Sequence, residues 1–252
     1  MNCAGLIMAG GRSARMRTGG CATHKALRTI CGVPLLERNL TELLRFDVKD
    51  IWIAVSESEG ELLSWLDSRG QAIAIAGGGT LQVYVEARPL GTIGAARHLA
   101  NRAENVLVFN VDNLTSLNLS SFVNFHLTSE AALTVASHDE LFRIPFGQIE
   151  LDGTRLTAYR EKPEIPVSIS SGIYALHRRA MQRIPRGAPT DAPNLINSLL
   201  DAGEKVACYR HDSWWIDVND EAALARAEAA LSSNPASRIV EQEAVPLWRR
   251  AS

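Results

Sequence analysis

The chain has 252 residues, of which 46% are hydrophobic and 21% are charged, and its formal net charge is −2. These values indicate a globular protein of one large or two small α/β units. They argue against a nucleic-acid or membrane-surface binder, which would usually carry a basic excess. The four cysteines form no C-x-x-C pair, the start lacks a signal-peptide pattern, and no apolar run reaches about 18 residues. We therefore expect a reduced, cytoplasmic protein.

The first half of the chain alternates between two patterns. Apolar, β-rich runs alternate with amphipathic helical patterns to about residue 135, which is typical of βαβ units and a largely parallel sheet. The predicted strands are Ala4–Ala9, Asp50–Val55, Gln82–Glu86, Asn105–Asn110 and Ala132–Ala136. The predicted helices are Pro34–Phe46, with the proline in its first turn, then Glu59–Ser68, Thr92–Asn101 and Ser120–Ser129.

The pattern changes after residue 140. Two short strands between Pro145 and Tyr159 flank Asp152-Gly153, which indicates a hairpin, and we expect this insertion, about residues 140–190, to cover a substrate. The remaining predictions are a strand at Gly172–Leu176, helices at Arg178–Ile184 and Ala192–Asp201, a strand ending at Arg210 and a helix at Asp220–Leu231. The fold class expected is α/β, with a mixed, mainly parallel sheet wound by helices and a small β-hairpin insertion. It would form one domain over residues 1–231, followed by a tail over 232–252.

The loop after the first predicted strand carries the clearest functional signal. The strand Leu6-Ile7-Met8-Ala9 runs into Gly10-Gly11-Arg12-Ser13-Ala14-Arg15-Met16, and Lys25 lies ten residues after Arg15. Glycines let the backbone approach a ligand closely and point N–H groups at phosphate oxygens, whose charge the arginine and lysine then neutralise. The spacing is neither that of a P-loop nor that of a dinucleotide-binding motif. The loop predicts nucleotide binding, with an ordinary glycine-rich turn as the alternative.

Two aspartates follow apolar runs. Asp112 comes just after the strand that ends at Asn110, and Asp217 follows Trp214-Trp215-Ile216. Carboxylates from two strand ends can share a hard cation such as Mg²⁺, which bridges phosphate oxygens during transfer. Taken singly, each aspartate is more simply a helix cap or a turn residue.

Three further segments carry polar residues or a glycine that lets the backbone approach a ligand closely. In Glu161-Lys162-Pro163 the proline is expected to hold the lysine extended, where it can meet a phosphate; the alternative is an exposed charged turn. Pro89-Leu90-Gly91-Thr92 joins a strand to a helix and is either a ligand-facing segment or a bare turn. Glu86 can accept from the two adjacent N–H donors of guanine if it faces the base, and the alternative is a side chain directed toward Arg88.

In order and spacing, these motifs resemble the sugar-1-phosphate nucleotidyltransferases, over about residues 4–230. The resemblance implies a Rossmann-like nucleotidyltransferase fold, Mg²⁺ as cofactor, and a nucleoside triphosphate and a sugar or cyclitol 1-phosphate as substrates, in a monomer or homodimer. The catalytic set it implies is Arg15, Lys25, Asp112 and Lys162, and the metal ligands are Asp112 and Asp217. The implied nucleotide-binding set is Ala9, Gly10, Gly11, Arg15, Lys25, Glu86, Pro89, Gly91 and Thr92. The implied sugar phosphate-binding set is Asn110, Gly147, Glu161, Lys162, Ser171 and Gly172.

Specificity and two rival interpretations stay open. Glu86 favours GTP. The family usually has glycine where this chain has Val111, and the bulk expected beside the metal and sugar leaves the sugar unassigned. A molybdenum-cofactor-type nucleotidyltransferase has an opening that resembles residues 10–16, and a regulatory subunit would bind a nucleotide sugar without making it. We expect neither a nucleic-acid nor a membrane partner.

Overall fold

The computed structural model describes residues 3–10 and 24–233. In chain order its strands are β1 (Ala4–Met8), β2 (Thr29–Ile30), β3 (Val33–Pro34), β4 (Asp50–Ser56), β5 (Thr80–Glu86), β6 (Asn105–Asn110), β7 (Asn113–Thr115), β8 (Leu133–Arg143), β9 (Gln148–Asp152), β10 (Arg155–Arg160), β11 (Glu164–His177), β12 (Val206–Arg210) and β13 (Trp215–Asp217). Its α-helices are α1 (Leu35–Arg45), α2 (Gly60–Trp65), α3 (Gln71–Ala76), α4 (Ala96–Leu99), α5 (Leu119–Ser129), α6 (Arg178–Arg183), α7 (Ala192–Asp201) and α8 (Glu221–Ser233). A 3-10 turn covers Lys25–Leu27, and a π-helical turn, Leu66–Gly70, joins α2 to α3.

The centre of the fold is a seven-stranded sheet in the order β12-β8-β11-β6-β1-β4-β5. Strand β1 pairs in parallel with β4 and β6, and β4 with β5, so the carboxyl ends of these strands meet at one edge. Strand β11 runs antiparallel to both of its neighbours, β6 and β8. The prediction of a mixed, mainly parallel α/β sheet is confirmed.

Both faces of the sheet are buried. Side chains alternate across a strand, so Ile7 packs into the cluster under α1 and α5, while Leu6 and Met8 pack into the cluster under α6 and α7. This is why the central strands are continuously apolar rather than alternating. Helix α1 meets its cluster through apolar residues at helical spacing: Leu36, Leu40, Leu43 and Leu44.

Some predicted boundaries were wrong. The helix predicted to end at Ser68 continues through α3 to Ala76. Gly70 does not end the helix; it lets the helix pack closely against Leu81, from which a Cβ at this position would lie 3.0 Å. The helix predicted from Thr92 to Asn101 is only α4, since residues 91–95 form tight turns. Pro34 precedes α1 as its N-cap instead of lying in the first turn.

Strands β8 and β11 are much longer than predicted. They extend past the sheet as an antiparallel ribbon, with Glu164 opposite Arg143. Residues of β8 beyond His138 are exposed and largely polar, so they lack the apolar run that identified the inner part of the strand. No helix in the described ranges has the length and apolar character needed to cross a membrane.

Candidate active site

A cavity of about 220 Å³ lies at the carboxyl edge of the sheet. Its walls are Met8, Gly10, Lys25, Glu86, Pro89, Gly91, Thr92, Asn110 and Asp112. All of these except Met8 belong to the sets predicted from the sequence, and they come together because parallel strands deliver their following loops to one edge. A larger open groove of about 500 Å³ at the opposite edge, beside Lys49 and Arg102, contains none of the predicted residues.

An ion pair occupies one end of the cavity. Lys25 Nζ donates to Asp112 Oδ2 at 2.6 Å, and both side chains are mostly buried, with exposures of 20% and 18%. The lysine is held in its 3-10 turn by His24, whose Nδ1 accepts from the Ala26 N–H. The predicted lysine and carboxylate are therefore fixed at the same point.

The second predicted carboxylate, Asp217, reaches this point through a small antiparallel sheet. Strand β13 pairs with β7 so that Asp217 lies opposite Asn113, and the Val218 N–H donates to the Asp112 carbonyl at 2.9 Å. Burial, and then the negative charge of Asp112, raise the pKa of Asp217. The pairing of β13 with β7 thus brings carboxylates from two separate elements to the same part of the cavity edge.

The two carboxylates fit a hard cation. Asp217 Oδ2 accepts from Asn219 at 3.2 Å, whereas its Oδ1 is buried without a hydrogen-bond partner among the described residues. Within residues 3–10 and 24–233 no cluster of three His, Cys, Asp or Glu side chains surrounds them. A pair of carboxylates completed by phosphate oxygens and water is a usual environment for Mg²⁺. Asp112 and Asp217 would hold the ion.

Glu86 lies on the cavity wall beside Gly10. Its Oε2 accepts a long bond (3.3 Å) from the Leu90 N–H, and its Oε1 is buried with no hydrogen-bond partner in the described chain. A Cβ at Gly10 would lie 2.5 Å from Oε2, so a larger residue there would displace the Glu86 carboxylate. Burial raises the pKa of Glu86, and the Leu90 bond opposes that rise. Arg88 donates instead to the Gly187 carbonyl, so the alternative pairing of Glu86 with Arg88 was wrong.

The Pro89–Thr92 segment is anchored to the start of α7. The Thr92 N–H donates to Asp191 Oδ1 at 2.9 Å, and the Thr92 hydroxyl accepts from the Ala192 N–H at 3.0 Å. Gly91 has a φ of +78° and lies where a Cβ would meet the Thr190 carbonyl. Sequence reasoning missed the role of Asp191, although an aspartate before Ala192-Pro193 is typical of a helix start.

On the other side of Asp112, Gly172 packs against Asn110 and Asn113. Its φ is +68°, and a Cβ would collide with the side-chain nitrogens of both asparagines. The carbonyl of the preceding Ser171 accepts from Asn113 Nδ2 at 2.8 Å and from Trp215 Nε1 at 2.7 Å. Because Asn113 follows Asp112 and Trp215 lies on β13, this carbonyl ties both carboxylate-bearing segments together.

Two histidines hold the fully buried Ser171. Its Oγ lies 2.8 Å from His138 Nδ1 and 2.9 Å from His211 Nε2, and His138 Nε2 lies 3.3 Å from Glu140. The Ser171 hydroxyl is thus engaged inside the protein. No sequence pattern pointed to these histidines, since 73 positions separate them and only the pairing of β12 with β8 brings them together.

The remaining predicted residues are not brought to the cavity. Gly147, Glu161 and Lys162 are exposed around the hairpin, and none of them lines the cavity. The Tyr159 hydroxyl donates to Glu161 at 2.9 Å, and Lys162 has a φ of +45°, so the extended conformation predicted from the following proline was wrong. Gly11 and Arg15 lie outside the described residues, and Ala9 is buried at the end of β1.

The expectation for Val111 was also wrong. This side chain is completely buried in the cluster under α1 and α5, together with Phe109, and adds no bulk to the cavity. Asn110 and Asp112, on the alternate positions, line the cavity instead. The two-residue period of β6 was the signal that could have shown this.

The nucleotidyl transferase family model matches residues 4–234. Mannose-1-phosphate guanylyltransferase of Mycobacterium tuberculosis is 25% identical over 237 residues, covering 90% of this chain and 64% of the relative. Bifunctional protein GlmU of Bacillus subtilis is 23% identical over 246 residues, covering 88% of this chain and 51% of the relative. The chain therefore spans only part of the length of these relatives.

A solved structure shares the fold. HddC from Yersinia pseudotuberculosis, crystallised in complex with GMP-PN, aligns with a TM-score of 0.70 at 18% sequence identity, covering 90% of this chain and 99% of that chain. The family model covers nearly the whole of the described structure. As the resemblance of its motifs predicted, the chain belongs to the nucleotidyl transferase family.

Proposed function

We propose that the chain transfers GMP from GTP to a sugar or cyclitol 1-phosphate, with Mg²⁺, giving a GDP-sugar or GDP-cyclitol and pyrophosphate. The observation that carries this proposal is the shared cavity: the Lys25–Asp112 pair, the Gly10 turn and the anchored Pro89–Thr92 segment line one site. A relative named as a guanylyltransferase supports the choice of GTP.

The reaction needs no protein nucleophile. A phosphate oxygen of the sugar phosphate attacks the α-phosphorus of GTP, the bond from that phosphorus to the oxygen bridging to the β-phosphorus breaks, and pyrophosphate leaves with the electron pair. Two polyanions must approach each other, so the residues act by alignment and charge neutralisation. Lys25, fixed beside Asp112, supplies one positive charge at the triphosphate. When bound between Asp112 and Asp217, Mg²⁺ would neutralise phosphate charge.

Glu86 is the residue proposed to select guanine. Guanine presents N1–H and the N2 amino group as adjacent donors, which a carboxylate can accept together. Oε1, which has no hydrogen-bond partner among residues 3–10 and 24–233, and the weakly engaged Oε2 supply that acceptor pair on the cavity wall. Adenine and cytosine present an acceptor on the corresponding edge, while uracil and thymine have one donor between two carbonyls and suit glutamine better.

The test is pyrophosphate release with Mg²⁺, with GTP, UTP, dTTP, CTP and ATP each combined with hexose, heptose and cyclitol 1-phosphates. We expect release that depends on both substrates and is fastest with GTP. Glu86→Gln should lower kcat/KM for GTP relative to UTP at least about 10-fold, the value of one lost charged hydrogen bond. The matched control is Glu57→Gln, an exposed carboxylate whose backbone bonds to Glu86 at the same edge.

The possible results separate the parts of the proposal. The role of Glu86 would be refuted if another triphosphate is preferred and Glu86→Gln leaves the ratio of kcat/KM for GTP to that for UTP unchanged. The proposed reaction itself would still stand. Binding of a nucleotide sugar without release from any substrate pair would support the regulatory interpretation instead. The Lys25–Asp112–Asp217 set argues against a regulatory subunit, because a protein that catalyses no transfer is free to lose its metal and phosphate ligands.

A further inference from the structure

The pairing of strand β11 is interrupted at two residues. Its pairing with β8 stops at Ser170 and resumes at Tyr174, and its pairing with β6 begins only at Ile173. Within the described strands, Ser171 and Gly172 therefore have no paired residue on either side. A backbone that leaves the ladder of hydrogen bonds in this way must be fixed by other contacts.

The carbonyl group of Ser171 holds the segments that carry both carboxylates. It accepts from Asn113 Nδ2 at 2.8 Å and from Trp215 Nε1 at 2.7 Å. Asn113 follows Asp112 directly, and Trp215 precedes Asp217 by two residues on β13. These two bonds use both lone pairs of the carbonyl oxygen. A shift of Ser171 would therefore move both segments or break one of the bonds.

Two imidazole rings fix Ser171 where the ladder is missing. Its Oγ lies 2.8 Å from His138 Nδ1 and 2.9 Å from His211 Nε2, and a hydroxyl can donate to one ring while it accepts from the other. Both histidines are themselves held by backbone pairing. His138 lies opposite Ile169 on β11, and the His211 N–H donates to the Ser137 carbonyl at 2.9 Å. The rings thus attach Ser171 to the end of the paired part of β8.

These contacts are shielded from water. Ser171 is fully buried, and only 9% of each histidine is exposed. The His138 ring also packs against the ring of Trp215, with centroids 4.7 Å apart. Loss of one imidazole would leave a buried hydroxyl short of a partner, and such a loss is costlier inside a protein than at its surface.

We propose that His138 and His211 are positioning residues for the metal site. Through Ser171 they set the distance between the segments that carry Asp112 and Asp217. This inference rests on the proposed function, since it takes these two carboxylates as the ligands of Mg²⁺. Neither histidine lines the cavity, so both act through Ser171 and not on the substrates. Loss of an outer partner that orients metal ligands typically lowers metal affinity about 10- to 100-fold.

The experiment compares two kinds of substitution at each histidine. His211→Gln puts an amide group near the place of Nε2, His138→Asn puts one near the place of Nδ1, and either amide can bond the serine hydroxyl. His211→Leu and His138→Leu fill the space without a hydrogen bond. Ser171→Ala removes the hydroxyl, retains the carbonyl and disturbs the packing least, so it provides the test if a leucine variant does not fold.

Two readouts report on the metal site. The first is the dissociation constant for Mn²⁺ added to the protein alone, measured from the electron paramagnetic resonance signal of free Mn²⁺, an ion that shares the oxygen ligands of Mg²⁺. The second is the Mg²⁺ concentration that gives half-maximal pyrophosphate release. We expect the leucine variants and Ser171→Ala to raise both values about 10- to 100-fold, while the Gln and Asn variants stay within about 3-fold of wild type.

The matched control is His126→Leu. His126 is also buried, and its Nδ1 lies 2.8 Å from the Thr134 hydroxyl, so the variant loses the same kind of bond in a place with no link to the carboxylates. It should lower Tm as His211→Leu does and leave the dissociation constant for Mn²⁺ within about 3-fold of wild type, because sites that share no partners act independently.

The outcomes separate this inference from the proposed function. If no substrate pair releases pyrophosphate but Mn²⁺ binding weakens in the leucine variants alone, the positioning role stands and the proposed function fails. Unchanged metal values in His211→Leu, His138→Leu and Ser171→Ala would overturn the positioning role. Equal weakening in His126→Leu, or no recovery in the Gln and Asn variants, would also overturn it. A wild type that neither binds Mn²⁺ nor shows Mg²⁺-dependent release would overturn both.

Discussion

Replacing Lys25 by methionine tests the charge neutralisation proposed for the site. The substitution keeps the length of the side chain and removes its positive charge. The Lys25–Asp112 pair is about four fifths buried, with Nζ 2.6 Å from Oδ2. Exposed pairs contribute about 0–1 kcal/mol, and breaking a fully buried pair costs about 3–5 kcal/mol, so we expect a loss of about 1–3 kcal/mol.

The fold should survive this loss. Domains of this kind are stable by about 5–15 kcal/mol, and each lost kcal/mol lowers Tm by roughly 2–4 °C in a chain of this size. Turnover should fall much further, by about 100- to 1000-fold, because the positive charge stabilises the transition state. Pyrophosphate release at saturating GTP, sugar phosphate and Mg²⁺ measures kcat, and thermal unfolding measures stability.

The matched control is Lys49→Met. Lys49 Nζ donates to the carbonyls of Leu44 and Gly77 at 3.0 and 2.8 Å at the opposite edge of the sheet, so its loss should also lower Tm but leave kcat within about 3-fold of wild type. If Lys25→Met retains more than a tenth of wild-type kcat, or if Lys49→Met loses as much, the assignment of Lys25 to the phosphates is refuted.

Three further predictions follow from buried groups. Asp217→Asn should lower kcat at least about 100-fold and raise the Mg²⁺ concentration needed for half-maximal activity, because it removes a metal ligand. It should not lower Tm, because it also removes a half-buried negative charge beside Asp112. An unchanged Mg²⁺ titration would exclude a metal-ligand role. Gly10→Ala would place a methyl group 2.5 Å from Glu86 Oε2, and steady-state kinetics should show KM rising for GTP more than for the sugar phosphate. Burial lowers the pKa of His126 to about 4, so between that value and about 6.5 the unfolded chain binds more protons and stability falls as the pH falls. Urea unfolding at pH 7 and pH 5 should show this loss, and His126→Gln should show less of it.

The residues that line the cavity could largely be predicted from local sequence. Continuous apolar runs defined β1 and β6, and the residues just after them, Gly10 and Asp112, had to reach the same edge because parallel strands share their direction. The position of Pro89–Thr92 in the cavity, just after β5, follows from the same rule, whereas Lys25 reaches the cavity through its 3-10 turn. For Gly10, Asp112 and Pro89–Thr92 a linear pattern was enough, since each lies within a few positions of a strand of the central sheet.

Other features were decided only by the tertiary structure. The length of β8 and β11 depends on their pairing with each other beyond the sheet, where exposed residues leave no apolar run to read. The contacts of His138 and His211 with Ser171 join three distant strand regions, and the burial of Val111 depends on which face of β6 the helices cover. Local sequence determined which strands would form and which residues follow them. Pairing between distant segments determined where each side chain is buried, because burial and hydrogen bonding depend on partners that are far away in the chain.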